Sequence, residues 1–126
     1  RSMSEAGKIY LFSMQFYDVK SGMMAFKARP ALIMYGPRNN DYTVLPVSTI
    51  KNSKDRDPDY DLRIDPRDYP NLSFNDVCYI RTHKQTPVHR SSKYKLIGDL
   101  KKEYPQKYQE VVALMEKFEQ EIKEKG

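Results

Sequence analysis

The chain has 126 residues, with 22 Lys and Arg against 17 Asp and Glu and a formal net charge of +5. That length allows one well-packed domain and excludes two, while the charge favours anionic partners such as phosphate backbones. The lone Cys78 excludes an intrachain disulfide, and no run approaches the roughly 18 apolar residues needed to cross a bilayer, so a cytoplasmic protein without a membrane partner is expected.

Arg1-Ser2-Met3 reads as a cloning remnant before a start at Met3. Residues 1–6 are therefore assigned to remnant and tail, and 7–126 to a single domain. Residues 7–16 (GKIYLFSMQF) are rich in aromatic and β-branched side chains and alternate partially, which predicts a half-buried strand. A turn follows at 18–22. Residues 28–35 (ARPALIMY) hold a continuous apolar run suited to a strand buried on both faces, with Pro30 demanding an edge or a strand start.

A second turn at 36–41 and a strand over 42–50 (YTVLPVSTI) complete an antiparallel meander. Residues 51–61 are charged and broken by Pro58, which predicts a long exposed loop and the most mobile segment. A short strand over 62–64, a proline-bearing turn over 65–72 and a strand over 77–84 (VCYIRTHK) come next, then a short helix over 96–104 with Asp99 as N-cap. From Pro105 onward, Tyr108, Val111, Val112, Met115, Phe118 and Ile122 recur every three or four residues, the stripe of a long helix that packs on the sheet or on a second subunit.

A glycine-containing loop at Gly22, Arg29-Pro30 opening an apolar strand, a strand ending Leu45-Pro46-Val47-Ser48-Thr49, the later stretch Tyr79-Ile80-Arg81-Thr82 and a terminal helix occur here in one order. In that order and spacing the chain resembles the PemK/MazF ribonuclease toxins, over residues 7 to the end. The resemblance implies a mainly β fold with C-terminal α structure: a small SH3-like antiparallel barrel of the CcdB/PemK/MazF kind with a long C-terminal helix. It further implies a homodimeric toxin that cleaves single-stranded mRNA at short sequences without metal or other cofactor, and that is held inactive by a cognate antitoxin. Arg29 then matches the catalytic arginine, and Ser48 with Thr49 the hydroxyl element. The chain departs from the pattern at Met23-Met24, Phe26 and Lys27, where many members carry a polar pair. It departs again at Cys78 and Tyr79, where an acid and a glutamine are usual.

Metal-free RNA cleavage uses the 2′-hydroxyl as nucleophile, so a site must remove one proton, supply another and stabilise phosphorane charge. A guanidinium suits the last role because its planar fork stays protonated and matches two phosphate oxygens. Arg29 is assigned there, with Ser48 or Thr49 donating beside it; alternation lets only one of these two face the RNA unless the strand ends between them. Of the two imidazoles, His83 follows Arg81 on the site-bearing strand and is the preferred acid–base candidate, while His89 sits in a basic stretch. Tyr17, Tyr35 and Tyr79 are candidates for base stacking, and Lys27, Lys51, Lys54 and Arg81 for phosphate contact. Two other readings remain open: a non-catalytic RNA- or protein-binding module on the same barrel, and a toxin acting on a protein such as gyrase.

Overall fold

A computed structural model describes residues 5–126, so the reading of Arg1-Ser2-Met3 lies outside the described residues. Seven strands form one antiparallel system: β1 (Lys8–Asp18), β2 (Met23–Arg38), β3 (Asp41–Ser48), β4 (Asp61–Ile64), β5 (Cys78–Arg81), β6 (Thr86–His89) and β7 (Lys93–Asp99). Helix α1 (Leu100–Glu103) and the long α2 (Pro105–Lys125) close the chain. No helix among the described residues is long and apolar enough to cross a membrane.

Strands β1, β2 and β3 are the expected meander, but the middle strand is much longer than its apolar run. β2 reaches back to Met23 by pairing with β1 alone. Asn39 and Asn40, at φ 53° and 71°, make the two-residue turn between Arg38 and Asp41, because Asn tolerates the left-handed region that such hairpins require. β6 lies along the first half of β3 and β7 along β1, at opposite edges of the sheet. Only Arg90–Ser92 separates these two edge strands, so the sheet must curl into a half-barrel. Glu5, at the end of the expected tail, bridges Lys8 and Lys93 and so ties β1 to β7.

Alternation along paired strands divides the core between two faces. Ile9, Leu32 and Leu45 share one with Ile64, Ile80, Leu100 and Val111, whereas Phe12, Ala31, Ile33 and Val44 form a smaller cluster on the other. The stripe of α2 covers the first face: Tyr108 and Val111 are buried, Val112 and Met115 pack at the margin, and Ile122 runs out into solvent.

Two expectations need correction. Residues 96–104 are not one helix: a strand runs to Asp99, and the helix starts at Leu100, with the Asp99 carboxylate accepting from the Lys102 amide at 3.0 Å. The apolar spacing of Leu96, Ile97 and Leu100 fits a helix locally, but the vacant edge of β1 captures the segment as a strand. The strand predicted over 77–84 stops at Arg81, which leaves His83 in a turn. The 51–61 segment is exposed over 51–56, as expected, but Tyr60 and the Asp61 carboxylate are buried, and the segment is held in place by an Asn52-capped turn and by Arg81 donating to the Asp55 carbonyl at 3.2 Å.

Candidate nucleic-acid site

The site begins with a fork. β2 and β3 pair from Tyr35↔Thr43 to Ala31↔Pro46, then separate as β3 turns to pair Val47 and Ser48 with Ile80 and Tyr79 of β5. Continuing the first register past Ala31↔Pro46 would set Arg29 opposite Ser48. The strands part there instead. Pro30 sits where β2 has lost its β3 neighbour, which is how a proline with no amide hydrogen is tolerated inside a strand of 16 residues.

An open cavity of about 410 Å³ fills the fork. Val47, Cys78 and Ile97 form its buried walls, with half-buried Leu11, Pro30 and Phe74; Lys27, Arg29, Thr49, Asp76 and Lys95 are exposed around it, and Ser48 is half-buried. Both Ser48 and Thr49 line the cavity; β3 ends at Ser48, so Thr49 is no longer bound by strand alternation. The Arg29 guanidinium makes no hydrogen bond or ion pair with any described residue. Three cations and one carboxylate, Asp76, therefore share the rim, an excess of positive charge suited to a phosphate.

Cys78 contributes no reactive thiolate. Burial, helped by the nearby Asp76 carboxylate, pushes its thiol up to about 12, so it is a neutral wall group at physiological pH.

The remaining predicted residues lie elsewhere. Arg81 pairs with Asp61, donating from Nε at 3.1 Å to a carboxylate that is completely buried. His83 sits beside that pair, with Nδ1 3.8 Å from Asp61 and Nε2 3.9 Å from Asp57. Its ring packs against those of Tyr60 and Phe118, at centroid distances of 5.8 and 5.9 Å, and these two also meet each other at 5.1 Å. Burial disfavours the imidazolium and lowers its pKa from the ordinary imidazole value, against the opposing pull of Asp61 and Asp57. Tyr60 extends the cluster to α2, donating its hydroxyl to Glu121 at 2.6 Å, a bond that helps push the phenol up to about 12. His83 is thus a packing residue under α2, apart from the Arg29 cavity.

Tyr79 is buried, and Arg56 stacks on its ring at 5.5 Å and donates to its hydroxyl, so no open face is left for a base. Lys51 is exposed beyond the cavity, and Tyr17 projects from the β1–β2 hairpin with 59 % of its surface free. Sequence reading missed Asp76 and Lys95. Asp76 belongs to the 73–76 loop, which carries no motif, and Lys95 arrives on β7, which was not anticipated.

The fold and cavity together define a class, a small antiparallel half-barrel with a C-terminal helix and an open, cation-rimmed cavity at a strand fork. Comparison of the chain with models of known protein families and with curated proteins finds no match.

Proposed function

We propose that this protein is a metal-independent endoribonuclease on an SH3-like barrel, a toxin of the PemK/MazF kind that acts on single-stranded RNA and is neutralised by a cognate antitoxin. The observation that carries the reading is one unpaired guanidinium, Arg29, in the same cavity as the hydroxyls of Ser48 and Thr49. Arg29 grips two non-bridging oxygens of the scissile phosphate, and Ser48 or Thr49 donates to the charge that builds there.

The cavity suggests its own proton route in place of His83. Asp76, a carboxylate on the rim, accepts the proton of the attacking 2′-hydroxyl. As O2′ bonds to phosphorus and the bond to O5′ breaks, the ammonium of Lys95 or Lys27 protonates the departing oxygen. The products are a 2′,3′-cyclic phosphate and a free 5′-hydroxyl. A homodimer is part of the proposal through the family resemblance.

The test is incubation of the purified protein with a long RNA in EDTA. Discrete fragments ending in cyclic phosphate are expected, and they should vanish with Arg29→Ala. Intact RNA bound by the wild-type chain would replace this reading with a non-catalytic binding module.

A further inference from the structure

Tyr17, Val19, Met23, Met24 and Phe26, five large apolar side chains that stand exposed, lie together in the β1–β2 hairpin, and the proposed phosphate chemistry uses none of them. Their free surface runs from 53 % at Met24 to 83 % at Val19. The last rung from β1 to β7 is Phe12↔Lys93, and the last from β2 to β3 is Ala31↔Pro46. Beyond these the hairpin is a two-stranded arm with both edges free.

Alternation puts apolar side chains on both faces of that arm. Tyr17 opposes Met24 and Gln15 opposes Phe26 on one face, while Phe16 opposes Ala25 and Asp18 opposes Met23 on the other, with Val19 in the turn between the strands. A ribbon that docks on a flat partner is apolar on one face; a ribbon apolar on both suits a medium that surrounds it. The root of the arm is cationic on both faces too. Lys27 and Arg29 extend on the Met23 face, and Lys95, directly across from Leu11, on the Phe26 face, with Asp76 the carboxylate beside them. From Phe26 to Met23 the strand rises about 10 Å at roughly 3.4 Å per residue, which matches the about 5–10 Å that interfacial apolar elements sink into a lipid surface.

From this arrangement we infer that the arm is a membrane-docking finger, whose apolar tip enters the headgroup layer of an anionic lipid surface while the cations at its root face the lipid phosphates. The net charge of +5 adds to the attraction. The free edges set the depth, because their unpaired backbone N–H and C=O groups need water and stop short of the hydrocarbon. Both charges near the turn are compatible with that depth: the Asp18 carboxylate accepts the Lys20 amide at 3.1 Å, and the Lys20 stem is long enough to return its ammonium to the headgroups. The sequence expectation of no membrane partner considered spanning runs alone, and a finger that rests at headgroup depth needs none. The inference stands on the arm and is independent of the proposed nuclease chemistry.

The chain has no Trp, so Val19→Trp places a single indole at the tip and its emission reports the tip's surroundings. Mixed with phosphatidylcholine vesicles in which about a quarter of the lipid is phosphatidylglycerol, this variant should sediment with the vesicles and shift its emission to the blue, and pure phosphatidylcholine should bind it about tenfold more weakly or less. Adding Met23→Ser and Phe26→Ser should lower partition onto the anionic vesicles about tenfold or more. Raising the salt from about 0.1 to about 0.5 M should weaken binding of the single variant through its cations. Emission unmoved by the anionic vesicles would overturn the finger, as would vesicle binding that survives both serine substitutions, which would put the contact elsewhere. A blue shift that grows with protein concentration in the absence of lipid, and that Phe26→Ser removes together with a dimer, would also overturn it and make a second copy the occupant.

Discussion

Arg29 and Arg81 occupy opposite conditions in one small protein. Arg81 is three-quarters buried, faces a fully buried Asp61 and also holds the carbonyl of Asp55. The Arg29 side chain lies exposed at a fork between strands, in no ion pair with a described carboxylate, and lines one cavity with Ser48 and Thr49. The first guanidinium is spent on folding and the second is free for a ligand. The residue types are identical, and only the partners differ. A candidate cation is therefore weighed by what already neutralises it, which is information about tertiary structure.

The largest effect that would break this comparison is on catalysis. Arg29→Lys keeps the charge but loses the planar fork, so it should retain only a small part of wild-type RNA cleavage, and Arg29→Ala should lose about 100- to 1,000-fold or more, read from initial rates on a long RNA. Next comes the structural arginine's partner. Asp61→Ala strands the Arg81 charge and frees the Asp57 amide that Asp61 accepts at 2.7 Å, and it should lower unfolding stability by about 3 kcal/mol in urea denaturation.

A smaller effect concerns pH. The pKa of His83 is lower in the folded chain than in the unfolded one, so its contribution to stability is complete above about pH 6.5 and declines as pH falls through that value. Arg67 holds the Asp65 carboxyl well below the usual carboxylate range, which adds a separate loss only below about pH 4. His83→Gln should flatten the stability curve between pH 7 and 5 and leave the acid loss in place, as followed by thermal melts across that range. The smallest effect is at Lys51, exposed outside the cavity: Lys51→Ala should leave the cleavage rate within about twofold, whereas Lys95→Ala should lower it more.

Much of the fold was legible because its signals are local. Partial alternation marked β1, a continuous apolar run marked the inner part of β2, and the three-and-four spacing after Pro105 marked α2, whereas the turn read over 36–41 shrinks to Asn39 and Asn40 because β2 runs on to Arg38. β6 and β7 escaped because Pro87 breaks one and three charged or polar residues open the other; each is a strand only because an edge of β3 or β1 awaits it. The site divides in the same way. The grouping of Arg29 with Ser48 and Thr49 came from the resemblance to the PemK/MazF pattern, and the fork between β2 and β3 sets all three on one cavity. Asp76 and Lys95 come to the cavity from a loop and a strand brought by the curl of the sheet, which leaves no mark in local spacing. His83 misled for a related reason: its apparent strand ends two residues earlier, and α2 packs over it from far along the chain.

The free and the paired guanidinium should differ in use, and the decisive measurement is made on Arg29→Ala and Arg81→Ala side by side, with thermal unfolding and RNA cleavage in EDTA read on the same preparations. Arg29→Ala should melt with the wild-type chain and cut nothing, while Arg81→Ala should melt several degrees lower and still cut while folded. Cleavage that survives the loss of Arg29 and disappears with Arg81, at unchanged melting temperature, would contradict that difference.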